Sequence, residues 1–176
     1  MSAEWLRNMG GGSLTDEEMQ KVPYPTMELT THVIIKSMQF YGIIGTWIVG
    51  PLAAARKKET RNTACLRMKM AKCGRVGVLL GVPGGILATY LTIRKDEEYK
   101  VWDRCYRLRH NRGQVRVDQA CTVTTLGGAA IGAATGGGVW FGGLMGMTAG
   151  LLGAAIYNGK LAAKQKAEAE EAKKNS

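Results

Sequence analysis

Charge is missing from one long stretch: between Asp118 and Lys160 there is no Asp, Glu, Lys or Arg, although 22% of the 176 residues are charged. Histidine is scarce too, with only His32 and His110. The four cysteines, Cys65, Cys73, Cys105 and Cys121, form no C-x-x-C and have no histidine at zinc-like spacing, which argues against a metal site. They read as reduced, partly buried thiols; a Cys105–Cys121 bridge would require an oxidising compartment on that side. Nucleophile elbow, Walker-type phosphate loop, HExxH and paired carboxylates in an apolar setting are all lacking. The Gly-Gly-Gly runs do not sit between a strand and a helix, so they make no nucleotide site. No enzyme activity and no cofactor are expected. The N-terminus has neither the apolar core nor the cleavage site of a secretory signal. Glu4, Asp16, Glu17 and Glu18 also spoil an acid-poor transit peptide, so any organelle targeting is expected to be internal.

The uncharged stretch 119–159 would make a single helix roughly 60 Å long, twice the ~30 Å hydrocarbon core of a bilayer. Gly136-Gly137-Gly138 is where it should break, giving a helical hairpin. Small residues recur every fourth position on both arms. Thr124, Gly128, Gly132 and Gly136 mark one; Gly138, Gly142, Gly146, Gly150 and Ala154 mark the other. Such ladders let helix backbones approach closely in lipid, where association rests on packing. A disordered low-complexity segment would be more polar than one holding Leu126, Ile131, Trp140, Phe141, Leu144 and Leu151. In a soluble hairpin, each helix-interior glycine would cost about 1 kcal/mol.

The remainder reads as an all-α membrane protein of one domain. Residues 1–31 form a polar leader, with a capping box at Thr15-Asp16-Glu17-Glu18. The membrane domain covers 32–159, with four short spans at about 33–55, 76–93, 119–136 and 138–158; a charged helical tail follows at 160–176. Gly42, Thr46 and Gly50 in the first span and Gly77, Gly81 and Gly85 in the second repeat the spacing of four, making a glycine zipper on each. Lys36 is expected to snorkel to the interface, Tyr41 and Trp47 to anchor there, and Pro83 to kink or unwind the second span. Between these spans lies a basic connector: Arg56, Lys57, Lys58, Arg61, Arg67, Lys69, Lys72 and Arg75 against the single acid Glu59. Beside a membrane it reads as an anionic-lipid contact or as a topology signal alone. Nucleic-acid binding would call for interleaved aromatics or a reader motif, and neither is present. Arg94 to Asp118 has the charge order of a helix and contains the pairs Asp96–Lys100 and Asp103–Arg107. Its Tyr99, Trp102 and Tyr106 share a face suited to headgroups or a docked partner.

The glycine-laddered spans, the basic first connector and Arg94-Lys95-Asp96 after the second span resemble the four-helix mitochondrial inner-membrane preprotein translocase superfamily, over about Val33 to Tyr157. In that family the third span closely follows the Arg/Lys/Asp turn, whereas here Glu97 to Asp118 intervenes. The resemblance implies a multi-pass protein of the mitochondrial inner membrane. The superfamily includes translocase channel subunits and an accessory subunit of respiratory complex I that does no transport. A translocating member would show a hydrophilic cavity face, which these spans lack. The expectation is therefore a non-catalytic accessory subunit of complex I, in the electron-transport chain, that stabilises the membrane arm and its bound lipids. Its partners would be other membrane subunits and an anionic, cardiolipin-like phospholipid. A translocase or channel subunit, with Pro83-Gly84-Gly85 as a pore-side break, is the alternative.

Overall fold

A computed structural model describes residues 2–56 and 62–174. Lys57, Lys58 and Arg61 of the basic connector lie outside the described residues. Among the described residues the chain is all-α, without strands.

Two short helices begin the chain, α1 (Ala3–Met9) and α2 (Asp16–Gln20). Ser2 caps α1 by accepting from the Trp5 amide at 3.2 Å. Thr15 and Glu18 form the expected capping box, the Glu18 amide donating to Thr15 Oγ1 (3.3 Å) and the Thr15 amide to Glu18 Oε2 (2.9 Å).

A 31-residue rod follows, made of α3 (Pro25–Ile44), a π-helical turn (Gly45–Val49) and α4 (Gly50–Ala55). Pro51 gives the π turn its reason. It has no N–H to offer the Trp47 carbonyl, and just before it the Gly50 amide reaches back five residues to Gly45.

Helix α5 (Thr63–Ile93) starts at Asn62, whose side chain accepts from the Cys65 amide at 2.7 Å. Arg67, Lys69, Lys72 and Arg75, half of the basic residues of the expected connector, thus belong to the first turns of α5. The helix runs unbroken through Pro83, which lies on an exposed face, so the expected unwinding does not occur. Only Asn111 separates α6 (Glu98–His110) from α7 (Arg112–Ala134), capping the latter through the Gln114 amide at 3.1 Å. The turn to α8 (Val139–Lys174) falls at the predicted glycines. Gly136 and Gly138 have φ of +67° and +95°, a region L side chains avoid. The charged tail continues α8 as one 36-residue helix.

Among the described residues three helices are long and apolar enough to cross a membrane: Pro25–Ala55, Thr63–Ile93 and Val139–Lys174. The fourth expected span, 119–136, does not reach that measure. It is helical to Ala134, but Asp118, Gln119, Thr122, Thr124 and Thr125 dilute the apolar character of α7. Helices α3–α4 and α5 pack antiparallel as one hairpin, and α7 and α8 as a second. Leu144 and Met147 of α8, with Cys121 of α7, fill the seam between the hairpins against Ile43 and Val78. A second small core, Val22, Leu29, Val101 and Cys105, holds the leader and α6 onto the start of α3.

Candidate functional site

Glycine decides how close the helices come. In the first hairpin the glycines of α5 sit against the backbone of α3. A Cβ on Gly77 would overlap the Tyr41 carbonyl, one on Gly81 would stand 2.5 Å from the Met38 nitrogen, and one on Gly85 2.5 Å from the Ile34 Cα. From the other side, Gly50 meets the Met70 Cα (2.6 Å), and Gly42 meets the Val78 and Met147 side chains at 2.9 and 3.0 Å. In the second hairpin glycine faces glycine. A Cβ on Gly132 would stand 2.5 Å from the Gly138 carbonyl oxygen, and one on Gly142 2.9 Å from the Gly132 Cα. Gly128 opposes Gly142 and Gly146; Gly146 opposes the Thr124 carbonyl; Gly150 opposes Ala120 and Cys121. Gly136 does not belong to this row. Its φ is positive and nothing lies within 4 Å of an added Cβ, so it serves the turn and not the packing. Gly45 and Gly74 were missed. Gly45 meets the Cys73 carbonyl, and Gly74 meets Thr46 and Leu144. Gly74 lies three residues before Gly77, off the strict spacing of four but on the same helix face, so an i,i+3 step was the signal that could have found it.

At the end where α3 and α7 begin, charged side chains are buried. Arg109 of α6 is 3% exposed, and all its guanidinium nitrogens are engaged. Nε and Nη2 donate to Glu28 Oε2 (3.1 Å) and Oε1 (2.5 Å), and Nη2 also donates to Ser2 Oγ (2.9 Å). Nη1 donates to the carbonyls of Glu18, Met19 and Lys21 at 3.3, 3.2 and 3.0 Å, placing positive charge on the open C-terminus of α2. Asn8 Nδ2 closes the hub by donating to the Arg109 carbonyl at 3.2 Å. One residue thus binds α1, α2, α3 and α6 together. Next to it, Lys36 of α3 pairs with the buried Asp118 of α7, and His32 lies 3.6 Å from the same carboxylate. Lys36 does not snorkel: it joins the two hairpins.

The aromatic face of α6 also turns inward. Tyr99, Trp102 and Tyr106 stack in series at centroid distances of 6.2 and 5.4 Å, and His110 follows Tyr106 at 4.3 Å. Trp102 Nε1 donates to the Gln20 carbonyl (3.3 Å), while Tyr106 Oη and His110 Nε2 lie 3.2 and 3.0 Å from Asp16 Oδ1. The expected partner face is therefore mainly the seat of the chain's own α2, and only Tyr99 is left largely exposed. The hydrogen bonds from His110 and then Tyr106 hold the Asp16 carboxyl below its ordinary range. Asp96 pairs with Arg104 at 2.8 Å and not with Lys100, because it precedes the first turn of α6; Asp103–Arg107 forms as expected at 2.5 Å. Burial raises the Cys105 thiol to about 11. All four cysteines are free.

Of the described basic residues, Arg56, Arg67, Lys72 and Arg75 are exposed and Lys69 is half-buried. Lys69, Lys72 and Arg75 line one groove of α5 together with Trp140 of α8, and the Arg75 guanidinium lies 5.9 Å from the Trp140 ring centre. Further along, a crevice of about 380 Å³ opens between the hairpins, lined by Met38, Gln39, Val78, Leu126, Ala129, Trp140, Leu144 and Met147 among others. Among the described residues no group of His, Cys, Asp and Glu could hold a metal ion.

No curated protein matches the chain. A family model described as a protein of unknown function (DUF1757) matches residues 5–158, which takes in most of the leader, both hairpins and the hub residues Glu28 and Arg109 but not the tail. The chain belongs to the DUF1757 family.

Proposed function

We propose that the chain is a non-catalytic structural subunit of a membrane assembly. The supporting observation is what the two hairpins turn outward. Phe40, Ile48, Leu52, Leu79, Leu80, Leu87, Leu126, Ile131, Leu152 and Ile156 are each exposed, while the interior contacts are glycine against backbone. Soluble monomers rarely expose so much contiguous apolar surface. Lipid or apolar partner helices would cover it, with α7 entering as the arm packed on α8. The charged hub would stand at the membrane surface and the α8 tail beyond it.

The assembly proposed is respiratory complex I of the mitochondrial inner membrane, with this chain as an accessory subunit beside other membrane subunits. The support is the resemblance of its glycine-laddered spans. A translocase component is the second reading, but Met38, Val78, Leu126, Leu144 and Met147 give the crevice a mostly apolar wall that does not favour a hydrophilic path. Carbonate extraction followed by native electrophoresis and identification of co-migrating chains tests the proposal. Resistance to carbonate and migration with redox-active subunits are expected; migration alone, or with a translocase core, overturns the complex I assignment.

A further inference from the structure

The basic groove and the apolar crevice share Trp140, and they are successive stretches of one surface. Lys72, Arg75 and Val78 fall three residues apart on α5, so the same helix face carries charge first and then enters the crevice. The groove and the crevice are open to the surface, with volumes of about 390 and 380 Å³. Within the described residues Lys69, Lys72 and Arg75 have no carboxylate partner, while the carboxylates at the opposite end of the hairpins are paired. Trp140 lies at the junction, where an amphipathic ring belongs between headgroups and acyl chains.

We propose that this surface is a specific site for one anionic phospholipid. Its phosphate lies in the groove of Lys69, Lys72 and Arg75, and one acyl chain lies in the crevice between the hairpins. Charge complementarity selects the headgroup. The apolar wall of Val78, Leu126, Leu144 and Met147 takes the chain, so the lipid fills the gap that the two helix pairs leave between them. The proposal rests on the membrane reading above.

Membranes carrying matched amounts of phosphatidylglycerol and phosphatidylcholine supply the test. They are extracted with carbonate, and the full chain is then purified in mild detergent and its retained lipids counted by native mass spectrometry. The wild type should retain phosphatidylglycerol in preference to phosphatidylcholine. Lys72→Ala with Arg75→Ala should cut that preference about thirtyfold, two basic contacts being removed. Ala129→Phe, which fills the crevice, should abolish retention of either lipid, and circular dichroism should show both variants still helical. Equal retention of the two lipids by the wild type, or unchanged retention in both variants, overturns the lipid site and leaves the membrane reading standing. Displacement of the retained species by millimolar inorganic phosphate would reassign the groove to a free anion and also overturns it. Release of the chain by carbonate overturns the membrane reading beneath it.

Discussion

The two ends of this molecule are held together by opposite means. Along the hairpins, contact is made by leaving side chains out: Gly128, Gly132, Gly142 and Gly146 bring two backbones together with nothing between them. At the hub, contact is made by long polar side chains reaching between elements far apart in sequence, as Arg109 reaches Ser2 and Glu28. The first kind is many small dispersion terms, roughly 0.1–0.2 kcal/mol per atom pair, indifferent to salt and pH. The second is a buried ion pair that tolerates loss of both partners better than loss of one. The difference teaches where the chain is fragile. The hairpins fail by gaining an atom; the hub fails by losing a charge.

Breaking the hub should cost most. Arg109→Met leaves Glu28 buried without its partner, and about 3–5 kcal/mol of stability should disappear in denaturant titration of the detergent-solubilised protein. Adding Glu28→Gln should return a large part of that loss; an additive double variant would mean the two residues do not act as a unit.

Breaking the hairpins comes next. Gly132→Leu and Gly146→Leu force side chains into the backbones of Gly138 and Thr124, at about 1–3 kcal/mol each, and should deplete the protein from the membrane assembly proposed above. That loss should not change with ionic strength. A smaller effect separates the two ends by pH. The folded state raises the Cys105 thiol from 9.0 to about 11, so its stabilisation is complete below pH 9 and declines as pH rises towards 11. Thermal unfolding across that window should show the fall, and Cys105→Ala should remove it. The smallest change sharpens the glycine argument. Gly127 and Gly153 have nothing within 4 Å of an added Cβ, so alanine there should be neutral or stabilising by up to ~1 kcal/mol in the same titration. Destabilisation comparable to that of Gly132→Leu would mean the outward glycines also face a packed surface.

The parts of this structure legible in sequence are those written in local spacing. Rows four apart at 77, 81, 85 and at 128, 132 place glycine on one helix face whatever that face meets. The turn at Gly136–Gly138 follows from residues able to take positive φ. The capping box at Thr15 and Glu18 is likewise complete within four residues. What could not be read depends on pairs separated by most of a domain. Lys36 looks like a snorkelling residue until Asp118, at the start of another helix, comes alongside. Tyr106 and Trp102 look like a free aromatic face until α2 covers them. The leader has no apolar stripe to announce its role, because what fastens it, the Arg109 guanidinium and the small core around Val22, is assembled from residues far apart in sequence. The fourth expected span falls short of the other three for a simpler reason: lack of charge is not the same as hydrophobicity, and the threonines and glycines of α7 lie between the two.

The contact between Ser2 and Arg109 has a consequence for how the chain is made. Residues 25–93, the entire first hairpin, lie between these two partners. In a bilayer they can meet only when the first residues and α6 stand on the same side, which requires α3–α4 to go across and α5 to come back. A chain inserted with one missed crossing would leave Arg109 and Glu28 stranded from each other's neighbourhood and α1 and α2 without a seat. On the proposed membrane reading the hub closes only on a correctly threaded molecule, and an extension fused directly before Ser2 should disturb that closure.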